Sequence, residues 1–110
     1  MRVGRIEQKT GNDQYYMLIP TEILKDTEYF SMFWRDHATI ILVRSGNKEP
    51  SDAHIKLHNA KSLSGDWPVH RVSGNATKRM YLPISMGRIW YTKEIEFNER
   101  GGHIYVMVKS

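Results

Sequence analysis

The stretch Tyr15-Tyr16-Met17-Leu18-Ile19-Pro20-Thr21-Glu22-Ile23-Leu24-Lys25-Asp26 reads as a strand that runs into a proline and turns directly into a helix. Tyr15 to Ile19 is a short run of β-favouring residues. Pro20 has no N–H to give, which ends strand pairing, and its φ of about −65° suits a first helical turn. Beyond it, Ile23, Leu24, Tyr29 or Phe30, and Phe33 recur at helical spacing. That spacing predicts one amphipathic helix over residues 21–34, with Thr21 as its N-cap and Glu22, Asp26 and Glu28 on the favourable side of the dipole.

Upstream, Arg2 to Lys9 alternates charged and apolar residues, and Thr10-Gly11-Asn12-Asp13 has turn composition. Residues 2–19 are therefore expected to form a β-hairpin. Downstream, Arg35-Asp36-His37 is a short connection, and Ala38 to Arg44 is apolar at nearly every position, as in a strand covered on both faces. Ser45 to Asp52 is a polar loop. Ala53 to His58 alternates, with Ala53, Ile55 and Leu57 facing inward. Residues 59–67 form a connection, Val69 to Ser73 a strand, Gly74 to Thr77 a turn, and Lys78 to Leu82 a strand ending at Pro83. Ile84 to Gly87 is too short for a full helix. Ile89 to Phe97 reads as a long strand, Asn98 to Gly102 as a hairpin turn, and His103 to Val108 as the last strand. In that strand Ile104, Val106 and Val108 share one face, and Tyr105 and Met107 the other.

The chain thus states one pattern twice. Tyr16-Met17-Leu18-Ile19-Pro20 stands against Arg79-Met80-Tyr81-Leu82-Pro83, and Ala38 to Leu42 against Lys93 to Phe97, with the helix largely missing from the second copy. The alternative is two unrelated β segments that share common turn signals. The division places one unit at residues 1–58 and a second β-rich unit at 59–110, packed together as one domain of 110 residues.

Charge follows the same division. Residues 1–58 hold eight Lys/Arg and eight Asp/Glu, whereas 59–110 hold eight and four, which together make the net charge of +4. Between Trp67 and Lys93 there are five basic residues, Arg71, Lys78, Arg79, Arg88 and Lys93, and no acid. An acid-free basic segment is the footprint of a polyanion contact, or else a solvated face whose counter-charges come from elsewhere in the fold. With no cysteine, disulfides, cysteine-based zinc sites and thiol nucleophiles are excluded, in keeping with a cytoplasmic protein. No apolar run approaches the ~18 residues of a membrane span, and the opening Met1-Arg2-Val3-Gly4-Arg5 lacks the apolar core of a secretory leader.

The first unit resembles the AbrB/SpoVT-like (MazE-like) swapped-hairpin domain, through Gly4-Arg5-Ile6, Gly11, Leu18-Ile19-Pro20, Glu22-Ile23-Leu24, Asp36, Ile40-Ile41-Leu42 and Ile55-Lys56-Leu57. The second unit resembles it in part, through Leu82-Pro83, Ile95-Glu96-Phe97, Gly101-Gly102 and Ile104-Tyr105-Val106. The resemblance implies a mainly β (α+β) fold, a small β-barrel of swapped-hairpin or cradle-loop type with one real helix. Family members are intertwined dimers. A chain with two units is then a monomeric pseudo-dimer, or else it forms a homodimer. The resemblance further implies hairpins that contact double-stranded DNA, with Arg2, Arg5 and Lys9 in one unit and Arg71, Lys78 and Arg79 in the other, and Arg88 nearby.

Signals for catalysis are weak. His54 and His58 are four apart on an alternating strand, hence about 13 Å apart, so no shared metal is expected. Asp36-His37 reads as a loop rather than a dyad. No nucleophile elbow, phosphate-cradling lysine loop or carboxylate cluster occurs. Aromatic side chains interleaved with Lys78, Arg79 and Arg88 belong to the core or stack on bases. The expectation is a small non-catalytic DNA-binding protein, a transcriptional regulator or antitoxin-like factor without cofactor. The alternative is a β-barrel interaction module that binds or inhibits an acidic protein partner.

Overall fold

Alternation of buried and exposed residues organises most of the chain. The computed structural model describes residues 2–8, 14–24, 27, 29–44, 47–48, 50–53, 55–56, 67–68, 70–71, 77–82 and 84–109, with the side chains of residues 2, 29, 55, 56, 67, 68, 70, 71, 77, 78 and 85 left aside. Strands β1 (Arg2–Gln8) and β2 (Tyr15–Pro20) pair antiparallel through Ile6↔Met17, Glu7↔Tyr16 and Gln8↔Tyr15. This is the expected hairpin, although its turn, with Lys9, lies outside the described residues. Tyr15, Met17 and Ile19 are buried along β2. Pro20 does not stand outside the sheet: it is the last residue of β2, opposite Thr77.

The long helix expected over residues 21–34 is not there. Helix α1 spans only Thr21–Leu24, with Thr21 its first residue rather than its cap, and strand β3 runs from Tyr29 to Asp36. The apolar residues that fit a helical period fit a strand as well. Phe30 and Met32 enter the main core, with Trp34 packed against it, while Phe33 joins a smaller cluster on the other face. A period of two with aromatic residues at its peaks favours a strand, and a long antiparallel partner decides the matter. That partner is β4 (Thr39–Arg44), paired from Phe30↔Arg44 to Asp36↔Thr39 around the turn His37–Ala38. The Ala38 N–H donates to Asp36 Oδ1 at 2.9 Å and fixes the turn. From Thr39 to Val43 every residue of β4 is buried, as expected of a strand covered on both faces.

The second half differs from expectation in three places: a helix at Ile84–Trp90, a strand that reaches Arg100 and so shortens the turn expected over Asn98–Gly102 to Gly101–Gly102, and a short strand at Trp67–Pro68 where a connection through Trp67 is expected. Ile84 to Trp90 forms helix α2, and the strand expected from Ile89 begins only at Glu94. Met86 and Trp90, four apart, put one helical face into the core. Gly87 lets that face sit directly on β2, for a Cβ there would meet Tyr15 Cβ at 2.4 Å. Strands β9 (Glu94–Arg100) and β10 (His103–Val108) form a hairpin closed by Gly101 and Gly102, with φ of 60° and 85°. Two consecutive positive φ values are those of the tight turn that matches strand twist. The faces of β10 are as expected, with Ile104 and Val106 in the main core, Val108 against it, and Tyr105 on the other side.

Short strands complete the sheet: β5 (Ile55–Lys56), β6 (Trp67–Pro68), β7 (His70–Arg71) and β8 (Thr77–Tyr81). His54, His58, the connection at 59–66 and the turn positions 74–76 lie outside the described residues. The fold is mainly β, an antiparallel curled sheet with two short helices, in the order β5-β3-β4-β10-β9-β1-β2-β8-β7. Strand β6 pairs with β3, and β7, one position further along the chain, pairs with β8. Main-chain pairing thus returns from β8 to β3, and the concave side holds the main core, drawn from both units. Among the described residues no helix is long and apolar enough to cross a membrane.

The first hairpins of the two halves agree in register. With Pro20 set against Pro83, Glu7 and Tyr16 fall on His70 and Arg79, and each of these couples is a rung. Met17 and Met80, which then correspond, face each other across β2 and β8. With the turn His37–Ala38 set against Gly101–Gly102, Asp36↔Thr39 falls on Arg100↔His103, and the corresponding residues Ile41 and Tyr105 face each other across β4 and β10. By order and turn β3 answers to β9 and β4 to β10, but past the bulge at Arg35 the two ladders are one rung out of step: Phe33 pairs with Ile41, whereas Phe97 pairs with Val106 and not with Tyr105. This differs from the sequence alignment of Ala38–Leu42 with Lys93–Phe97, and the second half carries the longer helix, not the shorter.

Candidate functional site

The basic residues singled out from the sequence fall on three parts of the fold. Arg5 is exposed on β1, where Glu94 of β9 is its ladder partner. Arg2 pairs with Phe97 on the same ladder. Arg79 lies on β8 opposite Leu18 and His70, and Lys78 lies opposite Ile19 and Arg71. Arg71 and Lys78 thus share one rung, and His70 and Arg79 the next. Arg88 is exposed on α2, apart from these strands.

Arg5 and Arg79 share the convex face. Ile6, Met17 and Met80 are buried and aligned across β1, β2 and β8, so the residues beside them point the other way. Two strand spacings, about 10 Å, separate β1 from β8. Arg79 is half-buried there and is not a bare charge. Its guanidinium carbon lies 4.2 Å from the centroid of the Tyr16 ring, and Nη1 donates to the Tyr81 hydroxyl at 3.4 Å. Tyr16 and Tyr81 share a rung, and their rings meet edge to face at 5.7 Å between centroids. Arg79 Nε is buried with no hydrogen-bond partner. The sequence places these residues outward by alternation, but only the register brings Tyr16 beside Tyr81.

Two further clusters escaped sequence reasoning. Arg44 ties α1 to the final hairpin: it donates to Thr27 Oγ1 at 3.1 Å, to the Ile23 carbonyl, and to the Gly102 carbonyl at 2.7 Å, and it pairs with Glu99 at 3.5 Å. Carbonyl partners so distant in sequence leave no motif. The outer face of β3, β4 and β10 carries Phe33, Ile41, Val43 and Tyr105, with Ala53 packed against them. There the Tyr105 hydroxyl donates to Asp52 Oδ1 at 2.9 Å, Asp52 faces Arg35 at 3.6 Å, and Arg100 stacks 4.6 Å from the Tyr105 ring centroid. Burial, reinforced by the hydrogen bond to Asp52 and its negative charge, raises the Tyr105 pKa above its ordinary 10.0. A phenol held neutral in this way is a structural donor, not a nucleophile.

Among the described residues no group of three His, Cys, Asp or Glu is placed to hold a metal ion. Compared with models of protein families, with curated proteins and with solved structures, the chain matches none.

Proposed function

We propose that this is a small non-catalytic DNA-binding protein of swapped-hairpin type, a transcriptional regulator or antitoxin-like factor that contacts double-stranded DNA through basic β-hairpins. The observation that carries the reading is the agreement of the two halves. A hairpin, a proline, a short helix and a second hairpin recur in the same order, the first hairpins match in register, and residues in corresponding positions face each other across both central strand pairs. That is the arrangement a pseudo-dimer of two swapped-hairpin units requires. The excess of basic residues in the second unit supplies attraction to phosphates, and the exposed Arg5 of β1 adds a charge on the convex face.

Arg5→Ala tests the reading, because truncating a phosphate contact weakens binding to all duplex sequences alike and lowers the salt slope by about one. Unchanged affinity and slope in Arg5→Ala, and likewise in Arg88→Ala, would remove the two exposed basic candidates from the interface. A second reading, an interaction module for an acidic protein, is favoured by the apolar exposure of Ile84 and Ile89 on α2 and of Tyr91 just beyond it. Protein purified at low salt separates the two, since a nucleic-acid binder carries excess absorbance at 260 nm and a protein binder does not.

A further inference from the structure

The convex face of β2 and β8 carries a π surface that phosphate binding alone leaves unused. Met17 and Met80 turn into the core, so Tyr16, Leu18, Arg79 and Tyr81 lie outside it, each half-buried. The Arg79 guanidinium is stacked on Tyr16 and hydrogen-bonded to the Tyr81 hydroxyl. Fixing a free arginine side chain costs rotamer entropy. Here the side chain is already ordered, so an incoming planar group meets a surface made ready for it. Two phenol rings and a guanidinium, close together and cationic, match the two features of an unpaired nucleotide, a planar base and an anionic linkage. Bases within a duplex already stack on one another and present only their edges, so a face of this kind selects unpaired bases. Glu7, exposed on the Tyr16 rung, places negative charge at the β1 margin and directs the phosphates toward the Arg79 side.

We propose that Tyr16, Tyr81 and Arg79 form a stacking site for the unpaired bases of a single-stranded nucleic acid. The inference rests on the nucleic-acid reading above and adds a contact beside the basic hairpins. Its test is fluorescence anisotropy of the full chain with a labelled oligothymidine of about 12 nucleotides, within the usual length of a single-strand site. Tyr16→Leu and Tyr81→Leu should each weaken binding about tenfold, the effect of losing one base–aromatic stack. Their salt slopes should stay unchanged, because neither variant removes a charge. Tyr16→Phe keeps the ring and should bind as the parent does, and Tyr81→Phe, which keeps its ring but loses the hydrogen bond to Arg79, should fall much less than Tyr81→Leu, which separates stacking from fold and hydroxyl. Glu7→Gln should tighten binding.

Leucine variants that bind as the parent does, or phenylalanine variants that fall as far as the leucine variants, would overturn the proposal. Binding of duplex but not of oligothymidine would overturn it while leaving the DNA-binding reading in place. Failure to bind either at low salt would overturn both.

Discussion

Gly87→Ala is the substitution that most directly probes how α2 is seated. In an exposed helix interior the change stabilises by about 1 kcal/mol, because alanine is the better helix former. Here the new Cβ would lie 2.4, 2.6 and 2.7 Å from Cβ, Cγ and Cδ2 of Tyr15. An ordinary carbon–carbon contact is about 3.5–4.0 Å, so the helix and strand must part by roughly 1 Å. The atoms that would have to yield are next to the backbone, not at the end of a flexible side chain. The Tyr15 carbonyl accepts from the Leu82 N–H at 2.9 Å, and β2 is paired on both edges, by β1 and β8. Overpacking of this kind costs about 1–3 kcal/mol, and the very short contacts put this case toward the upper end. Net of the helix gain, the variant should lose about 1–2 kcal/mol. Urea unfolding followed by tryptophan fluorescence suits the measurement, because Trp90 is buried on the same helix and donates to the His37 carbonyl at 3.0 Å. With a slope of about 1–3 kcal/mol/M for a small protein, the midpoint should fall by roughly 0.5–1 M. A midpoint that rises would refute the close seating of α2 on β2.

Other consequences follow from the same structure. Arg44→Met should cost about 2–3 kcal/mol in thermal or urea unfolding, since two carbonyls, the Thr27 hydroxyl and Glu99 lose their donor, and Arg44→Lys should recover little because an ammonium cannot span them. Thr92 ends α2 at φ 69°, a conformation costly for a β-branched side chain. Thr92→Gly should therefore stabilise by up to about 1 kcal/mol, and an unchanged or lower melting temperature would contradict this. Tyr105 has a folded-state pKa above its unfolded value, so its contribution is complete below pH 10.0 and is lost as pH rises through the folded value. Stability should fall at alkaline pH, and Tyr105→Phe should flatten that part of the curve.

The elements legible from sequence are those in which one signal stood alone. The unbroken apolar run of β4, the alternation of β10 and the Gly101–Gly102 turn left no competing period. The segment from Thr21 to Trp34 carried two. Ile23, Leu24, Phe30 and Phe33 satisfy a helical spacing, while Phe30, Met32 and Trp34 satisfy a strand, and pairing with β4 decided for the strand. In Ile84–Trp90 the β-favouring Ile89 and Trp90 hid a helix that depends on Gly87 lying against Tyr15, a contact between residues far apart in sequence. The candidate site divided in the same way. That Arg79 is basic and faces outward could be read from composition and alternation. Its stacking on Tyr16 could not, because that contact follows from the β2–β8 register.

The proposed binding of duplex DNA through several phosphate contacts is read out by the anisotropy of a labelled random duplex titrated at about 50 and about 200 mM salt. Binding at the lower salt should weaken about tenfold or more at the higher, the mark of released counterions. Absence of binding at the lower salt, or an affinity indifferent to salt, would contradict it.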